Sequence, residues 1–592
     1  MSAKVLATVT TRLAPLANVL RMSHLSGSDA DRMPRNVLQL QLDLLRLVAT
    51  PTPAYWMQVQ LPAESECAAC YADTTTIAAA ASLLHADDSP TERATLAMQC
   101  GALRTRDGGL GLPCHRDTRH AQFAGTFHAV WPGVLLANPT LSDLRSTTHQ
   151  AFADAYKSIT ALLSSVRARH LALAKDVRHW VDGSEHHAFY PPLSSQFRLP
   201  SFADLFVDAN ANIAVRFSQR KAMAVCNADA WLRAKDAVDA FDSANQHAAS
   251  VRQREARRLV SCSQEGSGAF LMRHPDPYLI GSVAESDYML VRVQRRLGLY
   301  LTCLAVPLDA AEARGEIVTQ HMRLGDDAIN DANATHRHNA GLLAVHAAIT
   351  AVTDSRRPYA RTLRGDKGDG SPAGAADAKR RWAWANDGHI PDIVRCSAPP
   401  YIWEWKCCSP LITSAALGNG SSKCGGAPST VDGDRFAFGC TEEAMRRKVY
   451  GLRQRGKPGE RAFDRRSGQG HVAPHDGDYA DALRKGHGLL LLMSESTGAL
   501  GAGLVMLLRT LARTATLPSG SDTTVYGASR ASPKAFFPHH LASISSAIVD
   551  ADAQAVLAKA AHETFMLSLG APPLPPGPPP PPPPPTSPLA PS

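Results

Sequence analysis

The stretch from His389 to Cys408 constrains the fold of this chain more than any other feature. Its two halves, 389–396 and 401–408, are rich in β-branched and aromatic residues, and a Ser-Ala-Pro-Pro segment separates them. Two such runs bounded by turn residues predict a β-hairpin. The chain therefore contains a sheet, although most of its other segments show helical rather than alternating periodicity.

Charged residues occupy one predicted face of this hairpin. Strand side chains alternate between faces, so Glu404 and Lys406 should share one side while the neighbouring tryptophans point to the other side, which we expect to be core. Pro391 is tolerated at a strand start, which places Asp392 just inside the first strand and beside Glu404. Two adjacent buried carboxylates repel each other unless a cation lies between them. The sequence therefore predicts a site for Mg²⁺ (or Mn²⁺), whose preferred ligands are hard oxygens.

Lys406 completes the predicted chemistry. Two residues beyond Glu404, it can orient or deprotonate a metal-bound water and offset the charge that develops on a phosphate. The alternative interpretation is structural: Asp392 caps a turn, and Glu404 with Lys406 forms an exposed ion pair that contributes about 0–1 kcal/mol.

The spacing Pro391-Asp392, eleven further residues and then Glu404-Trp405-Lys406 resembles the signature of the PD-(D/E)XK (restriction-endonuclease-like) nuclease superfamily. The resemblance implies a C-terminal α/β domain with a small mixed sheet. It also implies Asp392 and Glu404 as metal ligands, Lys406 as the catalytic lysine, and hydrolysis of nucleic-acid phosphodiester bonds.

The order of elements around the hairpin agrees with that resemblance. A helical run at 333–354 precedes it; a helix at 441–451 with Thr441 as N-cap, a buried strand at 487–494 and an apolar helix at 501–514 follow it. Many members of the superfamily add an acid from the first helix, whereas the polar side of this one carries histidines: His336, His338 and His346. Other acids remain open as a third ligand: Asp354, Asp366 and Asp387.

A second resemblance concerns the glycine-rich turn at 106–112, Arg-Asp-Gly-Gly-Leu-Gly-Leu. The glycines permit a tight turn, and the leucines can anchor it to a core. This turn and the helix after it resemble the segment behind the polymerase domain of non-LTR retroelement reverse transcriptases, as found in algal genomes. Phrases near the hairpin, such as HIPDIV and ALGNG, resemble the C-terminal regions of the same proteins. The resemblance implies a retroelement-derived protein, although the polymerase motif YxDD is absent.

Length and periodicity predict several domains. A chain of 592 residues exceeds what one core usually organises. We predict a helical region at 1–135, a helical linker or domain at 136–315, the nuclease-like domain at 316–565 and a disordered polyproline tail at 566–592. The predicted fold class is thus mixed: a mostly α-helical N-terminal half and a C-terminal α/β restriction-endonuclease-like domain.

The sequence predicts different roles for two basic clusters. The cluster Arg252, Arg254, Arg257 and Arg258 is predicted to be a solvated helix face, with nucleic-acid contact as the alternative. Lys379, Arg380 and Arg381 lie just upstream of the hairpin, before two tryptophans that can pack or stack on bases. These three residues are predicted to bind nucleic acid, most simply DNA, with weak sequence specificity. The formal net charge of +8 permits such a partner.

The N-terminal and C-terminal segments give expectations about binding partners and cellular localisation. The run of eight prolines in the tail predicts an extended polyproline rod, which can dock on an SH3, WW or profilin-type partner or be inert. The first 22 residues lack acids, which leaves organelle targeting open. We expect an intracellular protein, nuclear or cytoplasmic, with no membrane span. The expected function is magnesium-dependent hydrolysis of nucleic acid; the alternative is an inactive nuclease-like remnant that binds nucleic acid or acts as a scaffold.

Overall fold

The structure of this chain is a computed structural model. The described residues are 37–137, 145–178, 197–199, 219–244, 254–272, 286–329, 332–352, 359–361, 371–409, 411, 445, 448–451, 476–514 and 533–569. The acid-free N-terminus, the predicted cap Thr441 and the polyproline tail lie outside these residues.

The N-terminal half is helical, as predicted. Proline occupies the first turn of two helices, where its missing N–H costs nothing. The helices of this half are α1 (Val37–Leu44), α2 (Pro51–Val59), α3 (Pro62–Leu83), α4 (Thr91–Gly101), α5 (His115–Ala137), α6 (Arg145–Arg178), α7 (Gln219–Ala244) and α8 (Arg254–Cys262). One core cluster runs through them and includes Trp231 and Phe152, both fully buried.

Two of these helices begin at a carboxylate that another helix supplies. Asp73 of α3 accepts hydrogen bonds from the backbone N–H of His115 (2.7 Å) and of Arg116 (2.9 Å) at the start of α5. Asp242 of α7 accepts 3.3 Å and 2.9 Å bonds from the first N–H groups of α8. Burial raises the pKa of Asp242 to about 7. Each carboxylate satisfies two of the N–H groups that a helix start leaves free.

The glycine-rich turn is anchored to the core as predicted. Gly108 and Gly111 have φ of +100° and +81°, values that favour glycine, and the leucines after them are buried. The buried guanidinium of Arg296 links this turn to a neighbouring segment. It donates to the carbonyl oxygens of Thr105 and Gly109 (3.2 Å) at the turn and to that of Ser267 (2.9 Å). Burial lowers the pKa of Arg296 below its ordinary value.

The prediction that the arginine cluster at 252–258 is a solvated helix face is wrong. Arg254, Arg257 and Arg258 are all buried in α8; Arg252 lies outside the described residues. Glu255 accepts hydrogen bonds from Arg254 (2.6 Å), Arg258 (2.5 Å) and Arg93 of α4 (2.9 Å). Burial alone would raise the pKa of Glu255, but the three arginines hold it below its ordinary value. These arginines are internal links between helices.

The second half contains the predicted sheet. Its strands are β1 (Tyr359–Arg361), β2 (Ile393–Arg395), β3 (Tyr401–Cys408) and β4 (Gly488–Glu495), in the spatial order β1-β2-β3-β4. β1, β2 and β3 are antiparallel, whereas β3 and β4 are parallel, so the sheet is mixed. The hairpin and the strand at 487–494 are confirmed in one sheet. β1 was not predicted, and β2 is shorter than the predicted 390–396.

Helices cover the sheet on one face, and a smaller cluster covers the other. The helices of this half are α9 (Ser286–Leu297), α10 (Thr302–Ala313), α11 (Gln320–Arg323), α12 (Ala332–Thr350), α13 (Pro372–Trp382), α14 (Ala480–Arg484), α15 (Ala502–Thr514) and α16 (Pro533–Ser568). Trp403 and Trp405 pack against α12, α15 and α16, as the alternation predicted. On the other face Ile402 packs with Met445, Val449 and Tyr479.

The long helix α16 connects the sheet to the helices before residue 315. Asp552 on α16 accepts hydrogen bonds from Arg295 of α9 (2.9 Å) and Arg337 of α12 (2.5 Å). A third core cluster joins residues of α9 and α10 to Val556 of α16. Among the described helices, the segment Phe536–Ser568 has the length and hydropathy of a membrane-crossing helix, and 56% of its apolar window is buried inside the protein.

Candidate active site

The two predicted metal ligands lie opposite each other on the hairpin. β2 and β3 pair Ile393 with Trp403, so one step further along the same register Asp392 faces Glu404. Asp392 lies one residue before β2, where its carboxylate contacts Trp405 N–H and His338 of α12, whereas Glu404 contacts Tyr479. Their exposed fractions are 0% for Asp392 and 1% for Glu404. Two buried carboxylates therefore lie at the start of the hairpin, and the charges of both act on Lys406.

Glu404 is held at both carboxylate oxygens. The Lys406 ammonium donates to Oε1, and the hydroxyl of Tyr479 donates to Oε2. The Lys406 side chain is 19% exposed, so the Glu404–Lys406 pair is not the exposed ion pair of the structural alternative. Burial alone would lower the pKa of the Lys406 amine, but the charges of Glu404 and Asp392 raise it above its ordinary value. Lys406 is thus a cation that faces both the carboxylates and the solvent.

Asp392 is fixed by the strand beside it and by a histidine. Its Oδ2 accepts a 3.1 Å hydrogen bond from the backbone N–H of Trp405 and lies 3.3 Å from Nε2 of His338. His338 belongs to α12, the helix that carries histidines and no acid along its polar side. A partly exposed histidine therefore contacts Asp392 from this helix.

The structure does not assign a third acidic ligand among the candidates that the sequence offered. Asp354 and Asp366 lie outside the described residues. Asp387 is exposed, and its backbone N–H donates to Asp481 (2.8 Å). Among the residues that the structure describes, no group of three or more His, Cys, Asp and Glu side chains is arranged to hold a metal ion.

A pair of hard oxygen ligands nevertheless suits Mg²⁺ or Mn²⁺. Mg²⁺ is commonly held by one or two carboxylates, with water and substrate oxygens completing its octahedron. Asp478, next to Tyr479, contributes negative charge at Lys406, and its buried Oδ2 finds no hydrogen-bond donor among the described residues. Nε2 of His389 lies 4.0 Å from that oxygen. The donor set fits a divalent cation bound through Asp392 and Glu404.

The predicted nucleic-acid residues lie on α13. Ser371 caps this helix by accepting a hydrogen bond from Gly374 N–H, and Lys379, Arg380 and Arg381 form its exposed last turn. Asp377 lies 3.6 Å from Arg380 and 3.4 Å from Arg381, which offsets part of their charge.

The two tryptophans that follow these basic residues differ in exposure. Trp382 packs against the small cluster on the sheet, and Trp384 is 45% exposed. One tryptophan is therefore structural and the other is open to a ligand.

Two residues at the site were given no role from the sequence. His338 had a signal, because it lies on the helix that was noted for histidines in place of an acid. Tyr479 had none: it lies 75 residues beyond Glu404, outside any motif. Only the packing of the chain brings its hydroxyl to the carboxylate.

Comparisons of the chain with protein-family models, with curated proteins and with solved structures give no significant match.

Proposed function

We propose that this chain is a retroelement-derived nuclease that hydrolyses nucleic-acid phosphodiester bonds with Mg²⁺ or Mn²⁺. One observation carries the proposal: Asp392 and Glu404 are both buried at the hairpin and act together on Lys406, whose ammonium contacts Glu404. Burying two carboxylates side by side is unfavourable unless cations compensate them. A site that maintains this arrangement is suited to bind a divalent cation.

The residues of the chain have distinct roles in this proposal. Asp392 and Glu404 hold the ion through carboxylate oxygens, and His338 orients Asp392 from α12. The partly exposed Lys406 offsets negative charge that develops on the phosphate. When bound, the ion polarises a phosphate oxygen and lowers the pKa of a bound water.

The direct test is cleavage of supercoiled plasmid in the presence of Mg²⁺ or Mn²⁺. We expect the full chain to nick the plasmid, and Glu404→Ala and Lys406→Ala each to lower the rate by about 100-fold or more. The first removes a ligand of the ion, and the second removes the cation that offsets negative charge on the phosphate. Gel densitometry over time gives the rate.

Lys559→Ala is the matched control for the lysine. Lys559 also binds a carboxylate, that of Asp327, but it lies on α16 away from the hairpin. Its replacement should leave nicking unchanged. Cleavage that survives both Glu404→Ala and Lys406→Ala would remove this site from the mechanism.

We also propose that α13 binds the phosphate backbone, most simply of DNA. Lys379, Arg380 and Arg381 are exposed on its last turn, and the exposed ring of Trp384 follows them. Each phosphate contact releases counterions, so the affinity should fall steeply with salt. Replacing all three basic residues by alanine should lower the slope of log K against log salt by about 2, since each contact contributes about 0.7–0.9.

Fluorescence anisotropy with short single- and double-stranded DNA across a salt series measures that slope. The matched control is the triple variant Arg314→Ala, Arg509→Ala and Lys559→Ala, which removes the same charge from other parts of the chain. An affinity that does not depend on salt, or a control that lowers the slope equally, would contradict a DNA contact at α13.

A second candidate function has its own support. A catalytically inactive remnant that binds nucleic acid or acts as a scaffold would keep the hairpin and lack a third acidic ligand, and no such ligand joins the pair among the described residues. Calorimetric titration with Mg²⁺ and Mn²⁺ separates the two candidates. Binding that disappears in Asp392→Asn and in Glu404→Gln favours the nuclease, and no binding favours the remnant.

A further inference from the structure

The hydroxyl of Tyr479 is built into the candidate site from outside the hairpin. Tyr479 is completely buried, and its hydroxyl donates to Oε2 of Glu404 while lying 3.4 Å from the carbonyl oxygen of Ile390. Its ring meets the ring of His389 edge-on, at 5.7 Å between centroids. The phenol therefore touches the carboxylate and also the turn that leads into Asp392.

The backbone around Tyr479 is fixed by several hydrogen bonds. The N–H of Asp478 donates to Lys448 O (2.8 Å), and the N–H of Tyr479 donates to Val449 O (3.3 Å). The buried amide of Asn386 donates to Asp478 O (3.0 Å) and to His389 O (3.1 Å). Asn386 thus joins the turn before Asp392 to the residue before Tyr479. A side chain held by this many contacts retains its orientation.

Lys406 and Tyr479 divide the two oxygens of Glu404 between them. Lys406 provides charge, whereas a neutral hydroxyl provides mainly direction, because a hydrogen bond from a rigid donor selects one rotation of the carboxylate. Partners that orient the ligands of a metal ion typically change its affinity by about 10- to 100-fold when they are removed.

We infer that Tyr479 is a positioning residue of the candidate site, which orients Glu404 toward Asp392 for binding of the divalent cation. The inference rests on the proposed function and extends it by assigning a residue that no motif contains. It predicts that the hydroxyl contributes to metal affinity and that the ring contributes to folding.

The test is Mn²⁺ binding to the full chain, followed by the electron paramagnetic resonance signal of free Mn²⁺. Tyr479→Phe keeps the ring in the core and removes only the hydroxyl. We expect the Kd for Mn²⁺ to rise by about 10-fold. The melting temperature should stay close to that of the control variant, Tyr450→Phe. Tyr479→Met, which keeps apolar volume without a ring, should give the same rise in Kd together with a lower melting temperature.

Tyr450→Phe is the matched control. Tyr450 packs against the same small cluster, and its hydroxyl donates to Leu489 O (3.2 Å) and accepts from Leu491 N–H (3.0 Å), both in the backbone of β4. It should leave the Kd unchanged. A Kd for Tyr479→Phe within twofold of wild type would overturn the inference while the proposed function stands. If the wild-type chain binds no Mn²⁺ at all, the proposed function fails and the inference falls with it.

Discussion

Glu255→Gln is expected to destabilise the helical half by about 3–5 kcal/mol, the cost typical of removing one partner from a buried ion pair. Glu255 receives hydrogen bonds from Arg93, Arg254 and Arg258, and all four side chains are buried. Glutamine keeps the shape but removes the charge that compensates the three guanidinium groups. Within the described part of the chain, Arg254 alone of the three has another carboxylate partner, Asp326. Urea unfolding followed by circular dichroism measures the change in the free energy of unfolding.

The control for this variant is Glu265→Gln. Glu265 pairs with Arg509 at 2.9 Å, but the side chains are 44% and 57% exposed. An exposed pair contributes about 0–1 kcal/mol, so the unfolding curve should hardly move. Equal effects of the two variants would mean that the arginines around Glu255 do not depend on its charge.

Gly109→Ala is expected to prevent the N-terminal helices from packing. A Cβ at this position would lie 2.1 Å from the carbonyl oxygen of Leu103 and 2.5 Å from that of Cys100, closer than any stable contact. Both atoms belong to the backbone, so no side chain can rotate away. We expect a loss of about 3 kcal/mol or more, the upper range for overpacking, visible as insoluble protein or a large fall in melting temperature.

Gly101→Ala provides the comparison on the same segment. At Gly101, the last residue of α4, a Cβ would meet its nearest neighbours at 3.8–4.0 Å, which is ordinary contact. Alanine also favours the helix by up to about 1 kcal/mol. A melting temperature that falls as far for Gly101→Ala as for Gly109→Ala would argue against a specific backbone clash.

The parts of the fold that follow local rules could be predicted from the sequence. Alternation of side chains placed Trp403 and Trp405 in the core and set Glu404 on the opposite face. The turn at 106–112 followed from its glycines, and its leucines are buried as expected. In each case the determining residues are neighbours along the chain.

The parts that depend on distant residues could not be predicted. A run of arginines has the same composition on a surface and in a core, and only the position of Glu255 among them makes burial possible. The helices that start at His115 and Arg254 are capped by Asp73 and Asp242, which come from other helices and are distant in the sequence. The role of Tyr479 at the candidate site was hidden for the same reason.

The parallel pairing of β3 with β4 has a consequence for the order of folding. β2 and β3 are joined by a short turn, so the hairpin with Asp392, Glu404 and Lys406 can form early. β4 can join only after the whole stretch between Cys408 and Gly488 has closed, and the entropy of that closure must be overcome before its contacts form. Tyr479 lies shortly before β4 in the chain, so it reaches the site only when β4 joins the sheet. A fragment that ends before residue 476 would carry every motif residue and still lack the second partner of Glu404, so the motif alone does not constitute the site.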